Sequence, residues 1–216
     1  MSERWATFDC YGTLIDWNRG IRRVLARAFG EAHADDKLLH YHEIEPQLQH
    51  DGRRRYREVL MEAMRLLHAS DSQASWLADS LPEWPPFPEV RGALDSLRAH
   101  GWKLGILSNT DRDFLDASIR QIGLPIDASI VASEIGSYKP AHKHWQEFFA
   151  RTRADRARHV HVAASLFHDI APAADLGLRA VWINRLGEQS PLPRAGELPD
   201  LRALPGTLVD LIGPTA

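Results

Sequence analysis

Short apolar runs bounded by turn residues recur along the chain, at residues 5–8, 104–107, 129–132, 160–163 and 180–183. Predominantly apolar runs of this length are the mark of strands buried on both faces. Between them lie helical patterns at residues 89–100, 112–122, 142–151 and 170–176, each long enough to cross over a sheet. Strand and helix alternating in this way predict an α/β fold. Its parallel sheet is covered on both sides and wound by right-handed crossovers.

Residues 18–80 interrupt that alternation with a pattern that is almost entirely helical. Ile21, Val24, Leu25, Ala28 and Phe29 form one apolar stripe, and Val59, Leu60, Met64 and Leu67 form another. The expectation is a helical subdomain of residues 17–81 inserted into a core made of residues 1–16 and 82–216. The insertion closes at residues 81–88, where four prolines prevent the helix from continuing and make a stiff return linker. Residues 187–205, rich in proline and glycine, read as a loop before a short last helix. Insertions after the first strand of an open α/β sheet lie over the carboxyl ends of the strands, where ligands bind. The helical block is thereby placed to act as a lid.

Composition narrows the class without changing this picture. A chain of 216 residues, 44% hydrophobic and 25% charged, is an ordinary globule, and a net charge of -3 leaves no electrostatic footprint for nucleic acid. Its one cysteine, Cys10, forms no internal disulfide. The N-terminus lacks the basic-then-apolar run of a signal peptide, so a cytoplasmic location is expected. No apolar run is long enough for a membrane span, and the expected partner is a small molecule. The 11 histidines invite a metal reading. His40 and His42, and likewise His142 and His144, are spaced i,i+2, which on a helix sends them to different faces. Arg53, Arg54 and Arg55 read as a solvated helix face.

Candidate chemistry clusters where strands end. Asp9 follows the first strand and precedes a Gly12-Thr13 turn, so it is either an exposed acidic nucleophile or a turn cap. Ser108 and Asn109 follow the second strand, as anion donors or as the cap of the next helix. Lys139 precedes Pro140 at a helix start, where it either neutralises clustered carboxylates or sits at the surface. Asp169 lies on a turn after the fourth strand, and His168 beside it either lines the pocket or caps the next helix. Tyr11 and Trp17 follow the nucleophile closely and read as pocket lining or as aromatic packing. Cys10 points away from Asp9 by strand alternation and is assigned to packing.

Asp9, Ser108-Asn109, Lys139-Pro140 and Asp169, each after a strand and in this order, resemble the four signature motifs of the haloacid dehalogenase (HAD) superfamily, over nearly the whole chain. The resemblance implies a Rossmann-like core with an inserted helical cap of the C1 type. It gives Asp9 the role of nucleophile, has Thr13 and Ser108 orient groups in the pocket, and has Lys139 hold the charges together. Most members are magnesium-dependent phosphatases with a second Asp two residues after the nucleophile and a carboxylate five residues before the last Asp. Here those positions are Tyr11 and Ala164. A phenol is no general acid for an alkoxide, and a methyl group binds no magnesium.

The string from Phe8 to Leu14 instead resembles the first motif of the type II 2-haloacid dehalogenases. That subgroup implies metal-free displacement of halide from a small carboxylate through an aspartyl ester, with Asp169 activating or orienting water, no cofactor, and a homodimer. Four family positions differ. The cap arginine that receives halide aligns with His40, and the fourth-motif serine and asparagine with Ala164 and Leu166. A tyrosine six residues after the lysine becomes Trp145. Halide would then meet Asn109, Trp17, Trp145 or a protonated His40. Ring-opening of a small carboxylate, phosphate hydrolysis and a catalytically silent binding protein are the alternatives.

Overall fold

The computed structural model describes residues 3–50, 52 and 54–213; Arg53 of the basic run lies outside them. Six parallel strands form one sheet in the order β3-β2-β1-β4-β5-β6. They are β1 (Arg4–Phe8), β2 (Trp102–Ser108), β3 (Ala128–Val131), β4 (His159–Ala163), β5 (Ala180–Ile183) and β6 (Gly196–Leu198). Phe8 pairs with Ile106 on one side and Val162 on the other, so β1 is central. The chain winds outward through β2 and β3, then returns to β4 on the opposite flank of β1. The carboxyl ends of β1 and β4 therefore border the switch point at which such sheets bind ligands.

The period of two along each strand sorts side chains into two cores. Ala6, Phe8, Leu104, Ile106, Val160 and Val162 face one side, where Leu94 and Leu97 of α5 (Val90–Ala99) and Leu204 and Leu208 of α10 (Leu204–Ile212) cover them. Trp5, Leu107, Ala163 and Trp182 face the other, under Trp145 and Phe148 of α8 (Lys143–Thr152) and Ala173 of α9 (Ala171–Asp175). This second layer also buries a polar ladder. Thr7 Oγ1 hydrogen-bonds His159 Nε2 at 2.8 Å and His161 Nδ1 at 2.9 Å. Buried imidazoles are tolerated there because each finds a partner.

The helical block comprises α1 (Trp17–Phe29), α2 (Ala34–Gln49), α3 (Tyr56–Leu66) and α4 (Trp76–Ser80). Ile21, Val24 and Leu25 of α1 and Val59, Leu60 and Met64 of α3 are buried, as their spacing predicts. Gly20 is required where α1 meets the return segment, because a Cβ there would lie 2.4 Å from the Trp84 ring. The core also holds α3 directly. After β2 and ahead of α6 (Arg112–Ile122), Asp111 accepts from the backbone N–H groups of Tyr56 at 3.1 Å and Arg57 at 3.0 Å. A carboxylate at a helix N-terminus satisfies free N–H groups and complements the helix dipole.

Three local expectations shift. Ala132 leaves the third strand to open α7 (Ala132–Ile135). The helix expected at 170–176 is preceded by a π-helical turn, Leu166–Ile170, whose start is capped by the Ser165 hydroxyl accepting from His168 N at 3.0 Å. The expected loop 187–205 contains β6, an edge strand of three residues, too short to leave an alternation in the sequence. Among the described residues no helix is long and apolar enough to cross a membrane.

Candidate active site

Asp9 is the first residue beyond β1, and its backbone N–H donates to Val162 O at 3.1 Å. Gly12, at φ 91°, turns the chain back so that Thr13 Oγ1 donates to Asp9 Oδ2 at 2.9 Å. The same hydroxyl accepts from Ala164 N at 2.9 Å, which ties the nucleophile turn to the end of β4. A left-handed turn of this kind favours glycine because a Cβ is strained there.

Lys139 reaches in from the loop between α7 and α8 and uses all three of its ammonium protons. Nζ lies 2.9 Å from Asp9 Oδ1, 2.6 Å from Asp169 Oδ1 and 2.9 Å from Leu107 O. Asp169, on the π-helical turn, also accepts from His161 Nε2 at 3.0 Å through Oδ1. Its Oδ2 is buried without a hydrogen-bond partner among the described residues, as is Ser108 Oγ.

Burial and charge pull these groups apart. Burial, together with the charge of Asp169, raises the Asp9 carboxyl above its ordinary value against the pull of Lys139 and Thr13. Burial acts on Asp169 in the same sense, yet the Lys139 charge and the His161 contact outweigh it and hold Asp169 below the carboxylate range. Burial disfavours the Lys139 ammonium, but the two carboxylates more than compensate and raise it. The site therefore holds an anionic Asp169, a cationic Lys139 and an Asp9 that ionises less readily than a free aspartate.

Over this centre lies a cavity of about 220 Å³. Asp9, Ser108, Asn109, Lys139 and Asp169 form its floor, joined by Ser165 and His168. The helical block supplies Trp17, His42, Glu45, Pro46, Gln49 and Tyr56, and Tyr11 also lines it. Asn109 joins floor and roof. Its Oδ1 accepts from Lys139 N at 2.6 Å, and its Nδ2 donates to Lys139 O at 3.0 Å and Gln49 Oε1 at 3.2 Å. Tyr11 stacks on Tyr56 at 6.3 Å and its hydroxyl pairs with Ser118 at 3.0 Å. Burial pushes that phenol well above its ordinary value, so it stays neutral. Burial likewise lowers His168 to about 4, and His42 is lowered too.

Nine of the eleven expected site residues meet here: eight line the cavity, and Thr13 acts by holding Asp9 rather than by lining it. His40 and Trp145 stand elsewhere. His40 is exposed on α2; the buried stripe of that helix is Tyr41, Glu45 and Gln49, and His40 is one residue out of phase with it. Two residues on, His42 takes the place at the cavity, edge-on to Trp17 at 4.8 Å. Trp145 is buried on α8, packed on His161 at 5.3 Å, and braces the ladder behind Asp169. Glu45, Gln49, Tyr56 and His161 were not anticipated.

The donor set does not fit a magnesium ion. The carboxylates of Asp9 and Asp169 are both engaged by the Lys139 ammonium, and Ala164 offers only a methyl group where a further oxygen ligand would be needed.

Residues 4–177 match the haloacid dehalogenase-like hydrolase family. The chain is 30% identical over 224 aligned positions to (S)-2-haloacid dehalogenase 1 of Pseudomonas sp. (strain CBS-3), covering 96% of this chain and 97% of that protein. It is 27% identical to (S)-2-haloacid dehalogenase 4A of Burkholderia cepacia, over 86% of this chain and 85% of that one. Its fold is similar to that of L-2-haloacid dehalogenase from Xanthobacter autotrophicus with chloropropionic acid covalently bound, at a TM-score of 0.82 and 19% identity, covering 94% and 97% of the two chains.

Proposed function

Because the chain belongs to the haloacid dehalogenase-like hydrolase family, we propose that it is a hydrolase displacing halide from a small 2-haloacid through an ester on Asp9. The observation that carries this reading is the Asp9–Lys139–Asp169 arrangement at the switch point, with Lys139 bonded to both carboxylates. Two carboxylates sharing one ammonium suit a nucleophile and a water-orienting group.

An Asp9 oxygen attacks the carbon bearing the halogen, a C–O bond forms as the C–X bond breaks, and the electron pair leaves with the halide. Thr13 and Lys139 fix the carboxylate from its two oxygens, limiting its rotation before attack. The buried Ser108 hydroxyl has no acceptor among the described residues and is assigned to the substrate carboxylate, with backbone amides beside Tyr11. Water then attacks the ester carbonyl, restoring Asp9 and releasing a 2-hydroxy acid and one proton. Asp169 orients that water through Oδ2; its depressed basicity suits holding the water better than stripping its proton.

The roof residues Trp17, His42 and Tyr56 exclude solvent, and residues 17–81 act as the cap over a core of residues 1–16 and 82–216. The family resemblance supports a cytoplasmic homodimer. The test is halide release from 2-chloro-, 2-bromo- and 2-fluoro-carboxylates in the presence of a chelator, with Asp9→Asn alongside. Release that survives chelation and disappears in the variant supports the reading. No release from any of them overturns it in favour of ring-opening, phosphate substrates or a silent binding protein.

A further inference from the structure

An in-line displacement sends the leaving group away from the attacking oxygen. Asp9 is on the floor, so halide must depart toward the roof. Among the described residues no arginine or lysine lines the roof. The cavity's one lysine, Lys139, has all three protons committed to Asp9, Asp169 and Leu107 O.

What the roof does contain is a carboxyl group. Glu45 is 6% exposed, lines the cavity, and accepts from Gln49 Nε2 at 2.7 Å through Oε1. Beside it the Trp17 indole N–H is buried and makes no well-formed hydrogen bond among the described residues, its interaction being with the neighbouring Tyr56 hydroxyl. An indole N–H is only a donor, and an unsatisfied buried donor suits an anion. A charged Glu45 would do the opposite, since anionic substrate and departing halide would both meet a second negative charge at low dielectric.

Resting on the dehalogenase reading, we propose that Glu45 works as a neutral carboxylic acid and, with the Trp17 indole N–H, forms the pocket that receives the leaving halide. The O–H and N–H groups donate to the halide as it departs. Glu45 keeps its proton throughout, so the displacement needs no proton transfer. A pair of neutral donors thus replaces a cation, and leaving-group acceptance becomes dependent on pH.

The surroundings favour the protonated form. Burial, then the charge of Asp9, raises Glu45 to about 7 against hydrogen bonds from Tyr56 and Gln49. Among the described residues the titratable groups around the cavity are Asp9, Tyr11, Lys139 and Asp169 below, His168 at the side, and His42, Tyr41 and Tyr56 in the helical block. The tyrosines stay neutral through burial, and His42 and His168 are lowered by it. Bound anionic substrate adds to the charge that keeps Glu45 protonated.

Two readouts test the proposal. In wild type, kcat/KM for a 2-halopropionate falls about tenfold per pH unit above the Glu45 break. Glu45→Gln keeps a donor at every pH, so it should retain activity and lose that alkaline limb, whereas Glu45→Ala loses turnover throughout. Bromide binding, followed by quenching of tryptophan fluorescence in the full chain, should weaken as pH rises in wild type but not in Glu45→Gln. It should also weaken about tenfold in Trp17→Phe, the loss of one hydrogen bond to an anion. An unchanged alkaline limb in Glu45→Gln, or bromide affinity indifferent to both substitutions, overturns the proposal. Bromide binding needs no turnover. If it follows the predicted pattern while no haloacid releases halide, the anion pocket stands and the reaction assignment falls.

Discussion

His161 Nε2 lies 3.0 Å from Asp169 Oδ1, the same oxygen that receives the Lys139 ammonium. The imidazole comes from β4 and is held from behind by Thr7 Oγ1. Asp169 is therefore fixed from two sides through one oxygen, while Oδ2 has no partner among the described residues. A group that orients water benefits from such fixation, because misplacement of a polar group by a fraction of an ångström weakens its aim.

His161→Ala should slow ester hydrolysis more than ester formation, through a freer Asp169. The expected outcome is a burst of halide close to one equivalent per site, followed by a steady rate reduced by about 10²-fold, a typical scale for one positioned acid–base group. Rapid-quench halide assays check it. Equal slowing of burst and steady phases would place His161 in the first step.

Acid sensitivity should come from buried histidines. Burial lowers His144 and His159 to about 3, with nearby positive charge adding to the effect. An unfolded histidine takes up its proton near 6.5, whereas these do so only well below that in the native state. Their contribution is full above about 6.5 and is lost as pH falls toward their folded values, at about 1.4 kcal/mol per pH unit for each group. Glu45, raised to about 7, acts in the opposite sense between its unfolded and folded values. His159→Gln should therefore be less stable than wild type at pH 7 but lose stability less steeply below 6.5, as measured by urea unfolding across pH.

Asp111 joins the core to the roof by capping α3. Asp111→Ala should loosen α3 at a cost of about 1 kcal/mol. The expected result is faster amide exchange at Tyr56 and Arg57 and a raised KM, since Tyr56 lines the cavity. Exchange confined to α6 instead would mean that the cap contact has no bearing on the roof.

The floor of the site was legible in the sequence because each of its residues follows a buried strand, and buried strands announce themselves as apolar runs. Asp9, Ser108 and Asp169 could be placed from that alone, and Lys139 from its position before a helix-starting proline. The roof was not legible, for a physical reason. The inward stripe of α2 is Tyr41, Glu45 and Gln49, spaced by one turn each, but two of the three are polar. A polar stripe facing a polar cavity has the same pattern as one facing water. Nothing in the pattern therefore fixed the phase of the helix, and His40 was expected where His42 stands. Trp145 failed differently: its aromatic ring fits a cavity wall or a core equally well, and α8 turns it onto the sheet. His161 was hidden inside a strand otherwise read as apolar, where Thr7 and Asp169 satisfy it.

The mechanism turns on the formation of an ester on Asp9. It is tested most directly by one turnover of excess enzyme with a 2-haloacid in heavy-oxygen water, followed by mass spectrometry of the peptide carrying Asp9. One heavy oxygen is expected in the Asp9 carboxylate, because water attacks the ester carbonyl, and a product hydroxyl drawn from the unlabelled aspartate. Label in the product hydroxyl with none in Asp9 would mean that water displaced the halide directly and that no ester forms on Asp9.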